Sequence, residues 1–452
     1  MLEINQILAI TIFAIMLAVI ISDKAPRYIP ALIGAVLMIV VVFLGVMKSP
    51  DSVWHVLNLS ELGQLKFWVP GEEHIESYGV NWQTIVFIGG MMIMVAGMER
   101  AGFFRWLCLY AARLVGCRVI PLLLAFMLIS GFLSMFIDSI TVLLFLSLVT
   151  IELARLLKFD PVPVIVAEIF AANTGGAATM SGDPPNIIIG TALGYNFFDF
   201  AVNTGLIAWT GMIFTLAYFY LIFRKNLKQD TKPEEVMKVC PLPASAITDR
   251  RLFNIATVIF TVIVVLIVTH AETGLSVALI GVIAAVMTLL TDIKHIKRIF
   301  AAVNWQVLLF FLGLFICVGG LEETGVLKII AGFIGDASAG NTSISIAFIL
   351  WISAFASAVV DNIPFAATMV PIIKELSVVG AISLPTLAWA LALGTDLGGN
   401  ATPIGASANV VGTSVAEKEG YPISWGRYLK YSLVPMIIVV GISHLLLLLR
   451  YT

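Results

Sequence analysis

Charge is what this sequence has least of. Charged side chains make up 12% of its 452 residues, against roughly 25% in a typical soluble domain. A formal charge of −2 leaves no basic footprint for a nucleic-acid partner. Cysteine is nearly as sparse: Cys108, Cys117, Cys240 and Cys317 are scattered, with no C-x-x-C spacing and no neighbouring histidine. Neither a metal site nor a disulfide framework is expected from them. The first apolar run, about 4–22, lacks a basic leader and a small-residue cleavage site, so it reads as a retained helix rather than a signal peptide. What fills the chain instead is hydrophobic, at 60% of residues. Apolar stretches long enough to cross about 30 Å of hydrocarbon recur from Ile4 to Leu449. The expectation is an all-α, polytopic protein of the cell (inner or plasma) membrane, with the lipid bilayer as its main partner.

Two of those stretches do not read as continuous helices. Ala171–Gly190, AANTGGAATMSGDPPNIIIG, is echoed by Gly394–Thr413, GTDLGGNATPIGASANVVGT. Between Gly175–Asn186 and Gly398–Asn409, six of twelve positions are identical. Glycine frees φ and proline removes a donor, so a regular helix cannot persist there. At membrane depth a broken backbone is tolerated only where it is buried in protein or lines a wet cavity. Paired broken segments are the sequence pointer to a secondary transporter's binding site.

The echo belongs to a longer repeat. A shift of 223 maps Asn81-Trp82-Gln83 onto Asn304-Trp305-Gln306, Gly90 onto Gly313, Gly97 onto Gly320, Glu99 onto Glu322, and Asp138 onto Asp361. Upstream, Ala31-Leu32-Ile33-Gly34 matches Ala278-Leu279-Ile280-Gly281 at a larger shift, which a polar insert at about 48–78 absorbs. The chain therefore divides into a first repeat, 1–226, a cytoplasmic linker, 227–249, and a second repeat, 250–452. In the first, scaffold helices occupy 4–100 and a hairpin and broken helix 119–190. In the second, scaffold helices occupy 252–320 and a hairpin and broken helix 342–412. The hairpins pivot on the polar doublets Asp138-Ser139 and Asp361-Asn362. If they re-enter rather than cross, each half crosses five times and the halves are inverted. Loop charges agree: Lys24, Arg27, Arg100, Arg105, Arg113, Arg118, Lys294 and Arg427 fall on one side, with the linker lysines Lys225, Lys228, Lys232 and Lys238. The acidic insert (Asp51, Glu61, Glu72, Glu73, Glu76) falls on the other. The basic side is then cytoplasmic, with both termini outside.

Four carboxylates lie at depth: Asp138 and Asp361 at the pivots, Asp183 and Asp396 in the breaks. A charged Asp at the bilayer centre costs on the order of 3 kcal/mol, so four cost about 10 kcal/mol together. That equals a domain's whole stability. These groups must be protonated, matched by a cation or wetted. Around them stand candidate ligands: Ser139, Thr141, Asn173, Thr174, Gly175, Thr179, Gly182 and Asn186 in the first half. Asn362, Thr395, Gly398, Asn400, Thr402, Gly405, Ser407 and Asn409 stand in the second. Such oxygen-rich clusters suit Na⁺, and Asp138, Asn173, Asp361 and Asp396 are its candidate ligands. The expected coupling ion is H⁺ or Na⁺, with no cofactor.

Plainer readings stand beside these. Gly90, Gly97, Gly313 and Gly320 suit close helix packing. Asp138 and Asp361 suit helix caps, and the arginines of 100–118 suit the solvated face of an interfacial helix. His270 and His444, near helix ends, read as structural, and the roles of Glu99 and Glu168 stay open. A channel remains an alternative, since broken helices also build filters. An intramembrane aspartyl protease needs two neighbouring Asp, but the usual G-x-G-D run is missing.

The runs FIDSITVLLF, DPVPVIVAEIFAANTGGAATMSGDPPNIIIG, VVDNIPFAATMVPI and LGGNATPIGASANVV resemble the ion transporter superfamily. They are most similar to its branch of arsenite efflux pumps and pink-eyed-dilution (albinism P) proteins. The resemblance implies two inverted repeats with re-entrant hairpins and broken helices. It implies a scaffold that forms a homodimer and an elevator mechanism, with Na⁺ between each hairpin tip and its broken helix. If the chain is an arsenite pump, it implies a soluble ATPase subunit as partner. Related divalent anion–sodium symporters carry Ser-Asn-Thr at their hairpin tips, whereas this chain has Asp138-Ser139 and Asp361-Asn362. An acidic tip repels a dicarboxylate. The expectation is arsenite- or antimonite-type efflux of a small inorganic species, coupled to H⁺ or Na⁺. The alternatives are a Na⁺/H⁺ antiporter and a sodium-coupled carboxylate or anion symporter.

Overall fold

The computed structural model describes residues 2–22, 24–70, 79–224, 237, 240–338, 341–380 and 382–452. Most of the linker expected over 227–249, with Lys225, Lys228, Lys232 and Lys238, lies outside the described residues. So do Glu72, Glu73 and Glu76 of the insert.

Every long element is a helix. The first half carries α1 (Ile4–Ile21), α2 (Tyr28–Val46, its latter part π-helical), α3 (Trp82–Ala101) and α4 (Phe103–Leu114). It continues through α5 (Val119–Leu133), α6 (Ser139–Leu157), α7 (Val162–Gly176), α8 (Pro184–Leu193) and α9 (Phe197–Phe223). The second half carries α10 (Arg250–Val268), α11 (Val277–Thr291), α12 (Trp305–Glu323), α13 (Val326–Ser338) and α14 (Thr342–Val360). It ends with α15 (Asn362–Gly380), α16 (Leu384–Gly399), α17 (Ser407–Lys418) and α18 (Trp425–Tyr451). Among the described residues, nine helices are long and apolar enough to cross a membrane. That number includes the hairpin arms α6 and α14 and leaves out the broken segments, whose pieces are too short singly. The chain is a multi-pass membrane protein.

Local chemistry sets the boundaries. Side chains of Asn81, Asp138, Asp249, Ser276, Asn341 and Ser424 each accept from a backbone N–H of the following turn, capping α3, α6, α10, α11, α14 and α18. Gly102 ends α3 at φ +83, a left-handed conformation that costs glycine nothing. Helix α13 is absent from the sequence reading, although the shift of 223 carries Phe103–Leu114 onto its start.

The helices sort into two sets by what they touch. In one, α3 packs along α11 and α10, and α2 along α12, with α1 beside them. In the other, each hairpin grips its own broken segment: α5 lies on α7, and α14 on α16. The second piece of each break crosses over, so α8 packs on α15 while α17 packs on α6 and α7. The two repeats are thereby interleaved.

The two ends of the molecule differ in charge. At one end Arg100 pairs with Asp292, Arg105 with Glu152, Arg155 with Glu419 and Arg427 with Asp160. These arginines are thus paired, where the sequence reading left Arg100 and Arg105 on a merely solvated face. Arg113 donates to the Cys240 carbonyl, and Cys117 and Cys240 form a disulfide. That corrects the expectation of no disulfide: a pairing across 123 residues leaves no spacing signature. At the other end Gln6 donates to the Thr324 carbonyl, His55 pairs with Glu323, and Ser276 N–H bonds the Trp68 carbonyl. The first hairpin, α5–α6, has its open end at the basic pole. The second, α14–α15, opens toward the pole where Lys374 shares a cleft with Gly79 and Glu322. The hairpins therefore enter from opposite ends.

Glycine pays for none of this with flexibility; it permits contact. Gly90 lies on Gly281, Gly313 on Ala31 and Gly320 on Met38, close enough that a Cβ would overlap. Gly175 meets the Gly131 backbone, where an added Cβ would come within 2.1 Å of its carbonyl oxygen. Overpacking of this kind costs about 1–3 kcal/mol. Gly175→Ala is therefore expected to lower the thermal unfolding midpoint of the solubilised protein clearly. Gly441→Ala, at a position with open space around it, should leave the midpoint unchanged.

Candidate functional site

Each break must find partners for the backbone groups it frees. Asn186 donates to the carbonyls of Gly176 at 3.1 Å and Thr179 at 3.2 Å. Asn409 does the same to Gly399 and Thr402, both at 2.7 Å. The Thr179 and Thr402 hydroxyls donate to the carbonyls of Met135 and Ala358, tying each break to its own hairpin. A Cβ at Gly182 would strike the Gly176 carbonyl, and one at Gly405 the Gly399 carbonyl. The identical residues of the two motifs thus build the frame. Thr174 likewise bonds only its own helix, at Phe170.

Inside that frame the two hairpin tips meet at one carboxylate. Asp183, buried just before Pro184-Pro185, accepts at one oxygen from the Ser139 hydroxyl of the first tip. At the other it accepts from the Asn362 amide of the second tip, at 2.7 Å. Ser139 and Asn362 are the first residues of α6 and α15, so two positive helix ends point at this acid. Asp138 and Asp361 immediately precede the two residues bonded to Asp183, which places all three acids in one locality.

The tips themselves are not alike. Asp138 caps α6 through the Thr141 amide at 3.0 Å and the Thr141 hydroxyl at 2.8 Å. Asp361 accepts from the Ile363 amide and the Ser407 hydroxyl, both at 3.0 Å, and forms an ion pair with Arg27. Its φ is +81, while that of Asp138 is −55.

Asp396 is the least satisfied group. It is fully buried in α16 and its carboxyl lies against Asp183, Asn186 and Asn362, none of which donates to it in good hydrogen-bond geometry. Two buried carboxylates in contact are expensive unless a proton or a cation lies between them. The equivalent place in the first half holds Asn173, which donates to Asn400 at 3.0 Å and Asn409 at 2.8 Å. The carbonyl oxygens of Asn173 and Asn186 also stand without a donor. Among the described residues no cluster of three His, Cys, Asp or Glu side chains is arranged to hold a metal. The oxygen set here, mixing two carboxylates with amides and a hydroxyl, suits a hard monovalent cation or a shared proton.

Of the sequence candidates, Ser139, Asp183, Asn186, Asn362 and Asp396 form the central group. Asn173, Asn400 and Asn409 adjoin through their own network. Asp138, Thr141 and Asp361 form the tips, while Thr174, Gly175, Thr179, Gly182, Gly398, Thr402 and Gly405 are framework. One site residue is not marked by the sequence: Arg27 falls among the cytoplasmic loop charges, and nothing in its surroundings sets it apart. Ser407, one of the polar groups placed around the acids, begins α17 and bonds Asp361. Glu168, left open before, is buried away from the tips and accepts from Thr150 at 2.5 Å. His270 bonds the Ile267 carbonyl and His444 accepts from Trp351, structural roles in both cases.

Comparison with known proteins agrees with this architecture. A family described as a citrate transporter, CitMHS, matches residues 15–394. A 46 kDa membrane protein of Mycobacterium leprae is 32% identical over 99% of both chains. The P protein of Sus scrofa is 30% identical, covering 81% of this chain and 53% of its own, so this chain spans about half of that relative. The YdaH transporter of Alcanivorax borkumensis has a similar fold, with a TM-score of 0.55 at 14% identity over 89% of each chain. MtrF of Neisseria gonorrhoeae, described within a class of antimetabolite efflux pumps, scores 0.55 at 12% identity, over 89% of this chain and 84% of its own.

The asparagine network yields a direct expectation. Asn173→Ala strips a donor from two buried carbonyls, each costing about 1–3 kcal/mol. The measured midpoint of thermal unfolding should fall, and further than it does for Asn5→Ala near the exposed start of α1.

Proposed function

Because the chain belongs to the CitMHS citrate transporter family, within reach of the P proteins and the wider ion transporter superfamily, we propose a specific form of the secondary transport that membership entails. The cargo is a small inorganic species of the arsenite or antimonite type, exported against H⁺ or Na⁺. The second helix set, hairpins and broken segments together, moves against the first as an elevator.

One observation carries this reading. Asp396, which no neighbour satisfies with a well-aligned hydrogen bond, lies against Asp183 at the meeting point of both tips. Two further acids stand close by, and among the described residues Arg27 is the single cationic side chain bonded to the group. Such a site repels free anions and suits a neutral hydroxide such as arsenous acid or a cation. A proton or Na⁺ on Asp396 would remove the cost of its burial, which is what links ion binding to a compact, mobile transport set. A Na⁺/H⁺ antiporter uses the same acids with no separate cargo.

A second reading, sodium-coupled symport of a carboxylate, draws on the family's description and on Arg27, whose planar fork matches carboxylates.

Proteoliposomes holding the purified chain decide among these, with arsenite, phosphate, sulfate, citrate and ²²Na⁺ offered under imposed pH and Na⁺ gradients. Arsenite flux that saturates and reverses with the gradient is the expected result. Asp396→Asn should lower coupled flux by about tenfold or more, the equivalent of one charge-assisted contact. Citrate flux alone would favour the second reading. Coupled flux unaltered in Asp396→Asn, with the same pH and Na⁺ dependence, would remove this site from the mechanism.

A further inference from the structure

Arg27 lies in the turn between α1 and α2, at the basic pole and within the first helix set. Its partners, Asp361 and Ser407, belong to the second set, at the tip of the second hairpin and the start of α17. The guanidinium bonds both, reaching the Ser407 hydroxyl at 2.9 Å, while that hydroxyl donates in turn to the Asp361 carboxylate at 3.0 Å. This closed triangle spans the boundary between the sets.

Its burial is uneven. The Asp361 side chain is 3% exposed and that of Arg27 20%. Beside them is a small crevice whose other walls are Ile20, Ile21, Val359, Val360 and Ile404, so Arg27 is the polar group of an apolar seam. Parting such a pair leaves a buried carboxylate uncompensated unless another cation takes its place. The backbone adds an independent sign. Asp361 holds φ +81, a region that a non-glycine residue keeps only when its surroundings impose it. Asp138, the counterpart at the first tip, is relaxed, and among the described residues its carboxylate bonds the first turn of its own helix, chiefly Thr141. The turn between α10 and α11, which corresponds to that of Arg27, makes no bond to it among the described residues. Among the described residues, the carboxylate of one tip is fastened to the first helix set and that of the other is not.

We propose that Arg27 is a latch: it takes the coupling cation's place at Asp361 and pins the α1–α2 turn to the second hairpin tip. H⁺ or Na⁺ gains this carboxylate only when turn and tip part. The proposal rests on the carrier reading for its role in a cycle, and it identifies Arg27 as a positioning residue rather than a cargo ligand. Among the described residues, the charged and titratable groups around Asp361 are Arg27 from the turn and Asp183 from the first break, with Asp396 of α16 against Asp183 and Asn362.

The test needs no cargo. Thermal unfolding of the detergent-solubilised full chain is followed over a Na⁺ series balanced with choline, and separately over pH. Arg27→Gln should shift the half-effective Na⁺ or proton concentration for stabilisation about tenfold lower, the equivalent of one lost competing contact. Arg27→Lys should stay near the unmodified protein, and in an Asp361→Asn background Arg27→Gln should cause no further shift, leaving only the response of Asp396. A response in Arg27→Gln within twofold of the unmodified protein overturns the latch, as does a shift that survives Asp361→Asn, or no response in any variant. Should Arg27→Gln fail to fold, Ser407→Ala, which removes the hydroxyl bonded to both Arg27 and Asp361, should move the half-effective concentration in the same direction, and no shift there overturns the latch. Flux in the panel above is scored separately. Flux with an unresponsive Arg27→Gln removes the latch and keeps the carrier; a shifted response without flux does the reverse.

Discussion

The constraint on which this molecule depends is that a peptide bond freed inside hydrocarbon has no water to turn to. Both broken segments answer it in the same way. An asparagine side chain closes two carbonyls, a threonine reaches the hairpin, and paired glycines let the chain fold back on itself. Once those obligations are met within the protein, the few polar groups not used by the frame stand out. They are Asp183, Asp396, Ser139 and Asn362, and they gather where the tips converge.

This explains what the sequence disclosed and what it withheld. The repeat, the hairpins and the breaks were legible because glycine, proline and apolar length act locally. The identities shared by the two motifs drew the eye to Gly175, Thr179, Gly398 and Thr402, yet those residues hold the backbone. The chemistry lies at positions where the halves differ: Asp183 opposite Ala406, Asp396 opposite Asn173, Asn362 opposite Ser139. Duplication preserves whatever the shape requires and leaves the rest free to diverge. Arg27 was out of reach for another reason. An arginine in a loop at a membrane's edge looks the same whether it faces water or a buried acid 334 residues away. The Cys117–Cys240 disulfide was hidden by the same distance.

Divergence between the halves also makes the site asymmetric. A strictly twofold arrangement would offer two equal acids and two equal tips. Here one crossing carries the carboxylate and its partner an amide, and one tip is tied to the neighbouring helix set while the other is not. The two poles therefore look onto different sequences of groups.

The crossing of α8 onto α15 and of α17 onto α6 and α7 bears on how the chain is made. Synthesis runs from the amino terminus, and domains made first usually fold first. Here the first hairpin arm has to wait, its seat open, until Ser407 and the residues after it have left the ribosome. The early half then sits in the bilayer with polar tips uncovered, and it is the last part of the chain to arrive that finishes the first.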